Sequence, residues 1–233
     1  MRKSIKKRLH DAIIWSFRKR SRTRRAKTFV AVMKPWSGCS ILDLGGGDGE
    51  FLDRIRSVGV DANYVVADIA GEHVVRAEAR GFSFVTLHEQ EKLPFGDRAF
   101  DIVLCNSVIE HVTLPKHLCS TAIPEDEWKA ESWKRQVAFA DEIRRISRFY
   151  FVQTPHKNFP VEQHTVLPGV NWLSHARTLR LLRWTDRVWI RPGIFVDWNL
   201  LGTSEMAALF PEAKLLVERV AGLPKSIISY LAP

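Results

Sequence analysis

A chain of 233 residues, 45% of them hydrophobic, can bury a core without staples. Its three cysteines, Cys39, Cys105 and Cys119, are odd in number and widely spaced, which excludes a disulfide framework and a CxxC metal site and favours a reducing, cytoplasmic setting. No apolar run reaches the roughly 18 residues of a membrane-spanning helix, and the net charge of +9 is concentrated in residues 1–34, with 13 Lys/Arg against one acid, Asp11; the rest carries 22 Lys/Arg against 25 acids.

Residues 4–20 fit a basic amphipathic helix, because Ile5, Leu9, Ala12, Ile13 and Phe17 recur at helical spacing among Lys and Arg. The turn Pro35-Trp36-Ser37-Gly38 separates this helical arm, 1–34, from a domain over 35–233. A strand–helix rhythm follows. Strands are expected at Ser40–Leu44, Tyr64–Ala67, Phe82–Leu87, Phe100–Asn106 and Phe149–Gln153, and helices at Phe51–Val58, around Glu72–Arg80 and at Trp133–Ser147. Continuous apolar runs such as Ile102-Val103-Leu104 suit parallel strands covered on both faces. The alternation implies an α/β sheet, mostly parallel, with ligands at the strand C-termini. Pro155–Gly202 is irregular and rich in Trp, Pro and His, and is read as an acceptor-binding lid. A helix at Ser204–Phe210 and an antiparallel hairpin, Ala213–Arg219 and Ser226–Leu231 around Gly222-Leu223-Pro224, complete the pattern.

The strongest local signal is Ile41-Leu42-Asp43-Leu44-Gly45-Gly46-Gly47-Asp48-Gly49-Glu50-Phe51, a strand, a glycine turn and a helix start. Gly45, Gly47 and Gly49 allow the backbone to approach a ligand; a tight turn without a ligand has the same local pattern. A nicotinamide fold wants G-x-G-x-x-G, whereas this turn reads G-x-G-x-G after an acid. Asp68 closes the second strand 23 positions after Gly45. A carboxylate there can accept from both hydroxyls of a ribose, or can cap a helix. A third block runs from Leu93-Pro94-Phe95-Gly96-Asp97 through Phe100-Asp101 to Asn106-Ser107-Val108-Ile109-Glu110-His111-Val112.

Together these blocks resemble the class I S-adenosylmethionine (SAM) dependent methyltransferases, in particular the type-11 group, over about 38–155. The resemblance implies a Rossmann-like, doubly wound sheet with a C-terminal antiparallel hairpin, and SAM as cofactor. It implies that Asp43 anchors the loop or the SAM amino group, that Gly45, Gly46, Gly47 and Gly49 line the methionine and ribose, and that Asp68, with Ile69 beside it, holds the ribose. Glu89 stands where the group usually has an Asp near the adenine, with Gln90 next to it, and Asn106 and Ser107 fall beside the methionine.

Candidate catalytic groups are His111, Glu162 and His164. A hydroxyl acceptor needs a base near neutral pH, and His is the usual one. Thr154–His164 follows strand five and resembles a TPN…FPIE-H stretch found in type-11 enzymes of glycan and lipid pathways, with His156 in place of the usual Asn. Each of these groups can equally be a packing or loop-satisfying residue. No spacing argues for a metal. Trp172, Trp184, Trp189 and Trp198 with Arg177, Arg180, Arg183, Arg187 and Arg191 make the lid basic and aromatic, fit for a sugar, a phosphate or a lipid carrier, or simply a solvated helix.

The expected function is methyl transfer from SAM to a small-molecule, glycan or lipid-linked acceptor. Residues 1–27 would meet an anionic membrane surface, so the cytoplasmic protein would also sit peripherally at the membrane. The alternatives are an RNA methyltransferase using the basic arm, and a SAM-binding protein without catalysis. Against RNA, no Asn/Asp-Pro-Pro-aromatic motif follows strand four.

Overall fold

The computed structural model describes residues 20–69, 71–88, 92–121, 123–163, 165–185 and 196–233. A helix α1 (20–33) precedes β1 (Cys39–Leu44), α2 (Glu50–Ser57), β2 (Ala62–Asp68), α3 (Val74–Ala79), β3 (Ser83–Thr86), β4 (Phe100–Asn106) and α4 (Glu125–Ile146). Then come β5 (Ser147–Pro155), α5 (His175–Thr185), α6 (Thr203–Leu209), β6 (Lys214–Val220) and β7 (Leu223–Leu231). The seven strands lie in the order β3-β2-β1-β4-β5-β7-β6. β1 to β5 pair in parallel, and β7 enters antiparallel between β5 and β6. This is the expected α/β sheet, mostly parallel with an antiparallel hairpin.

Strand alternation sends side chains to two separate cores. Ile41, Ile102 and Leu104 meet Phe29 of α1, Phe51 and Ile55 of α2 and Ala77 of α3 on one face. Leu42, Leu44, Val103 and Cys105 meet Ala140 and Ile143 of α4 and Met206 and Leu209 of α6 on the other. Both faces of the central strands are therefore dry, which is why they read as unbroken apolar runs. The strand order reverses direction between β1 and β4, and the crevice at that switch lies over the strand C-termini.

The boundary drawn at residue 34 does not separate two packing units. Ala26, Phe29 and Met33 of α1 are fully buried, and the Phe29 ring sits edge-on to Phe151 with centroids 5.4 Å apart. The spacing 26, 29, 33 is one helical stripe, and it belongs to the sheet. The helix expected over 4–20 falls outside the described residues except at its last position.

Other differences are smaller. α4 starts at Glu125, eight residues before Trp133, on Pro124 and with Glu125, Asp126 and Glu127 favouring its positive end. The helix expected around Glu72 begins as a 3-10 turn, Gly71–His73. The hairpin turn is Ala221-Gly222, both at positive φ, so Leu223 and Pro224 already belong to β7. The 155–202 segment contains α5 and a 3-10 turn, Val170–Trp172. It packs through Leu179, Leu182, Val196 and Trp198, and His175 stacks on Trp128 of α4 at 3.9 Å. Among the described residues no helix is long and apolar enough to cross a membrane.

Candidate cofactor and acceptor site

The glycine turn leaves β1 exactly where the sheet order switches, at the crevice between β1 and β4. Gly45 has φ 73°, and a Cβ on it would lie 2.4 Å from a Val108 methyl, so only glycine lets this backbone pass beneath β4's exit. Gly49, at φ 74°, caps α2 in the left-handed region, and its face lies against Phe82. The Gly45 amide donates to the Ala67 carbonyl at 2.7 Å, and the Gly47 amide donates to the Asp68 carboxylate at 2.8 Å. Asp68 thus ties the loop to the end of β2, the place where a ribose would meet both. Gly46 lies against the Asp43 carboxylate, and Ile69 is half-exposed just beyond Asp68. Glu89, Gln90 and His164 lie outside the described residues.

Asp43 is the electrostatic anomaly of the site. It is 1% exposed, and its Oδ2 has no hydrogen-bond partner among the described residues. Burial, with the Asp68 charge adding, pushes its carboxyl up to about 7 against the pull of Arg22. A buried acceptor with no donor is costly, and a ligand ammonium is a group that would relieve it. The residues present therefore fit the amino acid end of SAM. The cost has a pH signature. A carboxyl whose folded pKa exceeds its unfolded value of 3.8 favours the fold below that value, and this advantage is lost as pH rises through about 7. Asp43→Asn should therefore raise the melting temperature of the ligand-free protein at about pH 8 and have little effect at about pH 4, by an amount on the order of a few kcal/mol at the alkaline end. Melting curves at the two pH values check this; an equal shift at both would remove the buried charge as its cause.

At the end of β4, the Ser107 amide and hydroxyl both bind Gln153 of β5, at 2.9 Å and 3.0 Å, with Ser107 at positive φ. Asn106 accepts from Arg25 of α1 at 2.6 Å, and the same guanidinium reaches Glu218 of β6 at 2.9 Å. Arg25 is only 5% exposed. Burial alone would raise the Glu218 carboxyl, yet Arg25 and Ser226 hold it below the usual range. Ser21 accepts from Lys225 at 2.6 Å, and Arg22 pairs with Glu50 at the start of α2. The N-terminal end of α1 is thus fastened to the end of β4, the start of α2 and the β6–β7 hairpin. Arg25 is committed inside the fold, and residues 1–19 of the segment expected to meet a membrane lie outside the described residues.

His111 stands in the 3-10 turn Ile109–His111 after β4, with Nδ1 3.0 Å from Asp197 Oδ1. Burial lowers the imidazole's proton affinity, but the Asp197 hydrogen bond and the charges of Glu110, Asp197 and Glu162 outweigh it and raise the pKa. Asp197 is held in turn by the Thr113 hydroxyl, which donates to its carbonyl at 3.0 Å. Glu110 is fully buried and accepts from Thr154 of β5 at 3.0 Å. Glu162 is also fully buried and accepts from the Thr165 amide three residues on. His156 is buried and closes its own turn by accepting from the Asn158 amide at 3.0 Å. Burial, then the Lys157 charge, lowers its pKa.

The structure therefore brings Asp43, the glycines, Asp68, Asn106, Ser107 and His111 to one edge. Sequence reasoning missed Asp197 and Arg25. Asp197 sits in the irregular segment without a local signal, whereas the apolar stripe of α1 was there to be read. Among the described residues no group of three or more His, Cys, Asp or Glu side chains could hold a metal ion.

The methyltransferase-domain family of type 11 matches residues 42–122. An uncharacterized methyltransferase of Mycolicibacterium vanbaalenii is 34% identical over 84 residues, which are 35% of this chain and 32% of that protein. The match thus spans about a third of the curated relative. Among solved structures, the PH0226 protein of Pyrococcus horikoshii aligns over 93% of this chain and 91% of its own, with 18% identity and a TM-score of 0.56. A Haloferax volcanii chain solved with the Trm112 methyltransferase activator aligns over 94% and 95%, with 17% identity and a TM-score of 0.51. These two establish likeness of fold. The matched residues take in the glycine loop, Asp68 and the β4 exit, so the similarity to type-11 methyltransferase domains lies at the candidate cofactor site, over about a third of the chain.

Proposed function

We propose that this chain moves a methyl group from SAM to a hydroxyl of a small-molecule, glycan or lipid-type acceptor, with His111 as the base. The observation that carries the reading is the His111–Asp197 pair, 3.0 Å apart, at the strand edge that also holds the glycine loop. Bound SAM supplies an electrophilic methyl on a sulfonium. The protein's share is to hold the acceptor oxygen in line and take its proton. Asp197 fixes the imidazole through Nδ1, so Nε2 is the nitrogen that receives the proton as the carbon–oxygen bond forms and the carbon–sulfur bond breaks. Glu162 contributes negative charge near His111 and closes its own loop, a supporting place rather than a second base.

The cofactor half of the proposal is tested first. Asp68→Ala removes an acceptor for ribose hydroxyls and the tie to Gly47, and charge-assisted hydrogen bonds contribute about 1.5–3 kcal/mol each. Calorimetric titration with SAM should show affinity falling at least about tenfold. A folded variant with unchanged affinity takes Asp68 out of the site. Labelled SAM incubated with fractionated small-molecule, glycan and lipid pools then tests the acceptor half; label passing only to RNA would overturn it.

A further inference from the structure

We propose that the outer face of α5 is a docking surface for an anionic lipid bilayer. On this helix His175, Thr178, Leu179 and Leu182 are buried. Arg177, Arg180 and Trp184, at helical spacing with Arg183 beside them, are exposed. The two sets occupy opposite sides of one amphipathic helix, and the helix holds no acidic residue. Among the described residues none of the three arginines forms an ion pair; Arg183 donates to the Ser120 carbonyl at 2.8 Å. Trp184 is 65% exposed, as is Trp172, which with Leu173 stands on the approach to the same helix.

Charge and aromatic content together select the occupant. Arginines without counterions attract lipid phosphates, and their aliphatic stems lie along the interface while the heads stay wet. Indole rings prefer the headgroup level, with an apolar body and one polar edge. A free phosphate would account for the arginines but not for two tryptophans standing in water. The same lid supplies Asp197 to His111, and Val196 and Trp198 pack on the inner side of α5. Docking through α5 would set the reaction edge at a fixed attitude to the bilayer. The docking itself does not depend on methyl transfer, so it stands or falls apart from the proposed reaction.

The test uses the full chain and vesicles of phosphatidylcholine with or without phosphatidylglycerol, the lipids carrying bromine on their acyl chains to quench tryptophan fluorescence. The wild type should bind the phosphatidylglycerol vesicles and be quenched. Arg177→Gln/Arg180→Gln/Trp184→Gln should weaken binding at least about tenfold, given about fivefold per interfacial cation, and lose most of the quench. The control Lys134→Gln/Arg135→Gln, on the exposed side of α4, should weaken binding far less. If the triple variant melts early, Trp184→Gln alone decides through the quench. Equal losses in the α4 control, an unaltered quench without Trp184, or vesicle binding displaced by a homopolymeric RNA through α5 would each overturn the proposal.

Discussion

His111→Ala is expected to lower single-turnover methyl transfer by about a hundredfold or more, with SAM affinity nearly unchanged, the usual range for a lost general base. In the proposed site His111 would face the acceptor, whereas SAM would be held at the β1 and β2 ends. The pH profile separates a base from a packing residue. The Asp197 hydrogen bond and the Glu110, Asp197 and Glu162 charges raise its pKa above 6.5. A base acts when neutral, so the rate should climb as pH rises through that raised value and then level off. Asp197→Asn keeps the shape but drops the charge, so the inflection should move to lower pH while Glu110 and Glu162 still act on the ring. Full activity in His111→Ala, with a profile that Asp197→Asn leaves in place, would mean that the acceptor is already nucleophilic and that the site works by positioning alone.

Phe29→Ala should cost about 3–5 kcal/mol in urea unfolding, the range for removing a buried aromatic ring. Against a total stability of about 5–15 kcal/mol this is a large share. The ring is fully buried and meets Phe151 in the middle of the sheet. A loss under about 1 kcal/mol would show α1 to be a removable attachment. The same reasoning extends to a deletion of residues 1–27. That cut removes Arg25 and Ala26 and opens the polar contacts over Asn106 and Glu218, so it should destabilise the fold as well as reduce binding to polyanions.

The central strands were legible because burial on both faces leaves unbroken runs, as at Ile102-Val103-Leu104. The glycine turn and the acid closing β2 were legible because both residue types stand at fixed places, as at Gly45 and Asp68, and the Gly47 amide joins the turn to Asp68. α1 was not, because its arginines dominated the composition while its apolar positions, 26, 29 and 33, are few. A buried stripe of three residues is enough for a helix lying on a sheet, and charge counting hides it. Pro124 followed by three acids marked the start of α4, yet the expected helix began only at Trp133 because the apolar periodicity is weak before that point. Asp197 carries no local pattern at all. Its value comes from being brought across the fold to His111, 86 positions earlier, and only tertiary structure provides that.

The fastening of α1 has a consequence for biosynthesis. Its polar partners Glu218 and Lys225 lie 193 and 204 positions downstream of Arg25 and Ser21. At about 5–20 residues per second, the helix emerges from the ribosome roughly 10–40 s before they exist. During that interval Arg25 has no Glu218 to pair with, and the stripe of Ala26, Phe29 and Met33 lacks Ile228 from its final core. Contacts of such long sequence separation form late. The contacts that fasten α1 are therefore completed only when β6 and β7 arrive.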